Sequence, residues 1–429
     1  MFSSEGFPLS PRNIIPFLRL FLRTLTFFVL IICSFTNLTN AQTSTNRLQL
    51  LWRFAPAGQG QPSKPYLTTN ELPFERGLTY NPISHRVLVA SRSNHVYVLN
   101  ADTGADLHEL NMTGVTGGQY PLLLIKAADD GAIYAGNLNT STANPQFRLY
   151  RWTNDNPGTV ATLAFSGDPS PGSSERWGDT LDVRGSGTNT QVLISPRQST
   201  LMAILGTTNG SNFISRTINL PDVPLGHCAM GITFGANNTF WGTTHTNPLR
   251  QITFDLAASS GVTTTLHNSN EIPLAICPIG FSPTLNMVAG IHVVSPNHLR
   301  VYELSSTNGP PILIGATNFA TDVLNVHTAA GSVEFGSNTV YALDANNGIM
   351  AVRILPPPSP LLFTGISIQS GQQIFLRGTG SPGSYLLETS STFTNWTVMT
   401  NIVIGTNGTF ESFVAITNSS ARFYRLKEP

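Results

Sequence analysis

One stretch of this chain occurs twice, 49 residues apart: HCAMGITFGANNTFWG at His227–Gly242 and ICPIGFSPTLNMVAGI at Ile276–Ile291. Cys228 and Gly231 of the first answer to Cys277 and Gly280 of the second. Each stretch is a short apolar run, a polar turn and a second apolar run, the pattern of one β-hairpin. ERGLTYNPISHRVLVAS (Glu75–Ser91) has the same form, with Gly77 in the glycine position. A strand-built unit recurring about every 50 residues cannot bury its apolar face alone. It must stack on its neighbours, and for β units of this length the stack is a propeller.

Six such units run from Asn46 to Leu355, their first strands beginning near Gly77, Leu123, Thr180, Gly231, Ile279 and Thr328. The first divides into GLTYN, RVLVAS, HVYVLN and ADLHELN. Asp130-Gly131, Asn209-Gly210, Asn308-Gly309 and Asn347-Gly348 supply tight hairpin turns in later units. The sixth unit offers only AAGSVEFG, NTVYALDA and GIMAVRIL, whereas LQLLWRF (Leu48–Phe54) stands before the first unit without a partner. Pairing the two closes the ring and removes both open edges. The expected fold is therefore all-β: a six-bladed β-propeller over residues 46–355, followed by a small β-sandwich. Residues 356–360, a proline-rich run, form a stiff linker. Residues 361–429 alternate in short strands (FTGISIQ, QQIFLRG, SYLLETS, WTVMTNI, FESFVAI and RFYRL) and make up the sandwich.

Charged residues are 11% of the chain and the formal net charge is zero. With no basic stripe, a nucleic-acid partner is not expected. At the N-terminus Arg12, Arg19 and Arg23 precede an uncharged run from Thr24 to Phe35, then Thr39-Asn40-Ala41. This order predicts a signal peptide over residues 1–41, cut after Ala41, and a secreted or cell-surface protein. Twelve uncharged residues are short of the ~20 that a spanning helix needs, so the mature chain is expected to have no transmembrane span. Loss of Cys33 with the leader leaves Cys228 and Cys277, an even count that permits one disulfide between neighbouring blades. Two buried free thiols are the competing reading.

RGLTYNP (Arg76–Pro82), VYVLNADTGADL (Val96–Leu107), DDGAIYAGNL (Asp129–Leu138), RWGDTLDVRGSGTNTQVL (Arg176–Leu193), FGANNTFWG (Phe234–Gly242), PLRQITFDL (Pro248–Leu256) and YALDANNG (Tyr341–Gly348) carry a further likeness. Over residues 48–355 the chain resembles a family of uncharacterised secreted bacterial propellers, a domain of unknown function. The resemblance implies a fold and an extracellular location, and no activity. YLLETS (Tyr385–Ser390), Asn395-Trp396-Thr397 and RFYRL (Arg422–Leu426) are similar to a C-terminal module of exported proteins from Verrucomicrobia-type bacteria. That likeness implies a surface or sorting appendage. VYVLNADTG and VYALDANNG also resemble the repeat of quinoprotein propellers, but adjacent cysteines and a recurring Trp are missing here. No quinone or other cofactor is expected.

In a propeller the loops entering the innermost strands converge on one mouth of the central channel, the default place for a ligand. Glu75, Arg76, Glu175, Arg176, Trp177, Asp179, His227 and His327 feed that mouth. Arg176-Trp177-Gly178-Asp179 is the richest group, since a guanidinium, an indole and a carboxylate together bind a sugar or an acidic ligand. Against this stands a purely structural role, with Arg176 paired to Asp179 or Asp182 and Trp177 filling the gap between blades. The nine histidines form no H-x-x-x-H, H-E-x-x-H or H-x-H pattern, so no metal is expected. Asp102-Thr103-Gly104 and Asp344-Ala345-Asn346 lack the regular oxygen donors of calcium loops. No nucleophile elbow, P-loop or dinucleotide fingerprint occurs. The leading expectation is a binding scaffold for a protein or carbohydrate ligand. The alternative is a polysaccharide hydrolase or lyase using Arg176, Asp179 and His227, and a third possibility is a purely structural role.

Overall fold

The computed structural model describes residues 46–427 except 70–73, 118, 142, 144–145, 305–308, 326–329, 370–372, 393 and 416–422. The segment 1–41 read as a signal peptide lies outside the described residues, as do His327, Thr328 and Arg422.

The chain is a six-bladed β-propeller followed by a small β-sandwich. Blades 1 to 5 are antiparallel four-stranded meanders with innermost strands Glu75–Asn81, Tyr120–Ala127, Trp177–Arg184, Gly231–Phe234 and Ile276–Ser282. Blade 6 has three strands in chain order, Gly331–Phe335, Thr339–Asp344 and Gly348–Ile354. Leu48–Pro56 completes it, running antiparallel to Gly348–Ile354 from Leu48↔Ile354 to Phe54↔Ile349. The innermost strands neighbour one another in order, and Gly331–Phe335 lies beside Glu75–Asn81.

The inner strands of each blade are near-continuous apolar runs, such as Ile133–Leu138, because each blade packs on a neighbour to either side and is apolar on both faces. An apolar cluster fills each of the six gaps. The gap between blades 6 and 1 holds Trp52, Leu343, Ile349, Leu78 and Val87, and the Trp52 indole donates to the Ala101 carbonyl at 2.9 Å. Ring closure thus rests on packing as well as on strand pairing.

Four innermost strands begin two or three residues before the starts expected from sequence, at Glu75, Tyr120, Trp177 and Ile276. These same four carry an irregularity near their start: between Glu75 and Gly77, Tyr120 and Leu124, Trp177 and Thr180, and Ile276 and Ile279. A bulge adds residues without partners, interrupts the period of two and re-aims side chains.

The C-terminal module consists of two three-stranded sheets, one of Leu362–Gln369, Gln373–Thr379 and Thr409–Ala415, the other of Thr397–Ile404, Gly383–Ser390 and Phe423–Lys427. Leu376, Leu387, Ile402, Ile404, Phe410 and Val414 form its core.

Candidate functional site

The bulges decide what the channel contains. In blade 1 Glu75 pairs with Ser91 and Gly77 with Ala90, which leaves Arg76 as the extra residue. In blade 3 Trp177 pairs with Pro196 and Thr180 with Ser195, which leaves Gly178 and Asp179. Gly178 has φ +103°, and a Cβ there would sit 2.0 Å from the Asn137 carbonyl oxygen, so only glycine makes this turn. Both Arg76 and Asp179 line a narrow space of about 50 Å³ at the strand-start end of the channel, together with Lys126, Arg197 and Met230.

Four guanidinium groups belong to this end. Arg76 is influenced by Arg92, Asp179 and Arg176, and Arg197 is joined to Arg176 through its backbone N–H. Arg92 lies over the Tyr120 ring with its guanidinium carbon 4.1 Å from the centroid. Arg176 donates from Nη2 to Asp179 Oδ1 at 2.7 Å. Burial, then the like charge of Arg92, pushes the Arg76 pKa down to about 10. Arg92 Nε, Arg176 Nε and Asp179 Oδ2 are buried without a hydrogen-bond partner. Glu75 is buried, with one oxygen accepting from Ser91 Oγ at 3.0 Å. Burial raises its pKa.

The remaining residues named from sequence go elsewhere. Trp177 is fully buried against Tyr134, Phe147 and Leu181, where it fills the gap between blades 2 and 3. Glu175 is half-buried. His227 is buried beside blade 4 and does not line the mouth. Its pKa is pushed down to about 4 by burial first and by the Arg250 charge second, so its imidazole is neutral near pH 7. His327 falls outside the described residues.

The permitted disulfide is corrected by the structure: Cys228 and Cys277 are both free and buried. Cys228 precedes the first strand of blade 4 and packs with Ile232, Phe240 and Ile204. Cys277 lies within the first strand of blade 5 and packs with Met287, Ala289 and Val333. Equal spacing in the chain therefore puts the thiols in different apolar clusters. Burial pushes the Cys228 pKa up to about 12 and also raises that of Cys277, which makes both poor nucleophiles.

Sequence reasoning missed a second charged group, halfway along the channel. Lys126 of blade 2 meets Glu334 of blade 6 in an ion pair and stands 3.7 Å from Asp182 of blade 3. Asp182 also accepts from the Phe234 N–H of blade 4 at 2.6 Å. Burial alone would lower the Lys126 pKa, but the two carboxylates outweigh it and hold the ammonium charged. The three residues are spread over 208 positions, so no local motif exposes them. An isolated Lys in an apolar strand, YPLLLIKA, was the one available signal.

Beyond this group the channel widens at the strand-end side into a cavity of about 730 Å³. Asp129, Asp182 and Glu334 line it with Tyr80, Phe281 and Phe335. Arg184, also on its wall, is held over the Phe234 ring at 4.2 Å and donates to Gln191 Oε1 from Nε and Nη2. Among the described residues no group of three or more His, Cys, Asp or Glu side chains is arranged to hold a metal ion.

No family model matches this chain, and no curated protein does. Among solved structures it is similar to a PQQ-bound aldose sugar dehydrogenase from Streptomyces coelicolor (12% identity, TM-score 0.39), covering 71% of this chain and 97% of that one. It is also similar to a Lactobacillus plantarum protein (7% identity, TM-score 0.41, 79% and 88% covered). The WD40 repeats of RRP9 are a third match, at 9% identity and TM-score 0.43, with 72% and 97% covered. These are likenesses of propeller-type fold. The narrower likeness to a secreted family of unknown function finds no matching model.

Proposed function

We propose that this protein is a secreted binding propeller whose strand-start mouth takes an anionic ligand, with the C-terminal sandwich serving surface association or sorting. The observation that carries this reading is the pair Arg76 and Arg197 on the lining of one mouth, with the Arg92 and Arg176 charges close enough to act on Arg76. Guanidinium groups carry donors only and match carboxylate, sulfate or phosphate oxygens. An anion there offsets the burial, and after it the like charge of Arg92, that together depress the Arg76 pKa. The leader read at residues 1–41 supports export.

The hydrolase or lyase reading has less support. His227, one of its three residues, is buried away from the mouth, and Asp179 is the one carboxylate described on the mouth's lining.

Calorimetry of the purified protein against small carboxylates, sulfate and phosphate tests the proposal. Anion binding that weakens as salt rises is expected, with a loss of about tenfold or more in Arg76→Ala. Absence of binding to every anion, or sustained release of reducing ends from an acidic polysaccharide, would overturn it.

A further inference from the structure

We infer that the mouth selects a hydroxylated carboxylate, a ligand of the sugar-acid class, and that Asp179 is the residue that reads the hydroxyl. The inference rests on the anion-binding reading above. The Asp179 side chain is 7% exposed and lines the mouth. Its Oδ1 is taken by Arg176, and its Oδ2 is buried with no partner. A buried carboxylate oxygen only accepts, so it is complete only when a donor reaches it. No described donor does so in the free protein.

The mouth therefore sets two demands side by side. Arg76 and Arg197 bring positive charge to its lining, which an anion answers, and Asp179 Oδ2 requires a donor. A plain carboxylate answers the first and places like charge against the second. A hydroxyl on the carbon beside the carboxylate answers both. An ammonium would also donate to Asp179, but it would face the Arg76 and Arg197 charges on the same lining. A hydroxyl donates without that repulsion. The space of about 50 Å³ takes a carboxylate and its neighbouring carbon, so the rest of a sugar acid would project outward.

The two-residue bulge is what makes this reading available. Gly178 turns the chain so that Asp179 has no strand partner, while the i,i+3 ion pair with Arg176 fixes one oxygen and leaves the other open.

The test is a matched series on the full-length protein: acetate against glycolate, propionate against lactate, and L-alanine against L-lactate, followed by D-gluconate and D-galacturonate. Each hydroxy acid is expected to bind about tenfold tighter than its deoxy partner. In Asp179→Asn and Asp179→Ala the preference should shrink to less than about threefold while acetate binds as well or better. Loss of a merely structural residue would weaken all acids alike. Equal binding of glycolate and acetate to the unaltered protein overturns this inference and leaves the anion-binding mouth standing. Binding of none of the acids, sulfate or phosphate overturns both. Alanine binding as tightly as lactate overturns the assignment of the donor as hydroxyl. Should both variants fail to fold, the unaltered-protein comparison still decides.

Discussion

The two ends of the channel are built from the same six strands and have opposite chemistry. At the strand-start end, guanidinium groups surround one carboxylate in a space of about 50 Å³. At the strand-end side, three carboxylates share a cavity of about 730 Å³ with aromatic rings. The difference arises at the strand starts. There the bulges of blades 1 and 3 release Arg76 and Asp179 from the ladder. The far ends stay in register, so ordinary alternation sets what faces the axis. Lys126, Asp182 and Glu334 stand between the two ends and join blades 2, 3 and 6 across the channel.

That central group is where the comparison breaks most easily. Lys126→Met leaves the buried Asp182 and the part-buried Glu334 carboxylates without their cation. A loss of about 3–5 kcal/mol in unfolding free energy is expected from denaturant titration. Lys126→Met combined with Asp182→Asn and Glu334→Gln should recover much of it, because no uncompensated charge remains. Failure to recover would mean that the packing of the Lys126 stem, and not its charge, holds the blades.

Next in size is Gly178→Ala, which pushes a Cβ into the Asn137 carbonyl and strains a φ of +103°. A loss of about 1–3 kcal/mol is expected, together with weaker anion binding because Asp179 and Arg176 shift together. Calorimetry on the folded variant separates the two effects. Unchanged affinity would show that the bulge is not what places Asp179.

The smallest effect is expected at the far end. Asp129→Asn changes the acidic cavity, and Asp129 lies just beyond the seven or eight residues of an innermost strand. Asp129 is bonded to Gly185, six residues beyond Asp179 in blade 3, so at ~3.3 Å per residue it stands roughly 20 Å from Asp179, more than two Debye lengths at physiological salt. Anion affinity should change less than about twofold. A larger change would show that the two ends communicate through Lys126.

Much of the fold was legible because a propeller repeats local patterns. The strands RVLVAS and HVYVLN and the turns at Asp130-Gly131 and Asn347-Gly348 follow from short apolar runs and from residues that tolerate positive φ. The unpartnered run Leu48–Phe54 pointed to closure because an apolar strand needs a ladder. The site was legible only in part. Arg76, Arg176 and Asp179 were named from their place before inner strands, and the same reasoning named Trp177 and His227, which are buried. Position in the repeat says which end of a blade a residue occupies. Whether it points to the axis or into the gap depends on the bulge.

The amino-acid sequence by itself determined the class of fold, the number of blades and the module that follows them, because hydrophobic period and turn chemistry act over a few residues. Only the tertiary structure decided the chemistry of the channel. Lys126 meets Glu334 across 208 positions, and Arg76, Arg92, Arg176 and Arg197 come from blades 1 and 3. Cys228 and Cys277, alike in sequence, part into separate clusters. Such groups are joined by ring closure, which brings innermost strands together whatever their distance along the chain, and charge interactions depend on that distance in space.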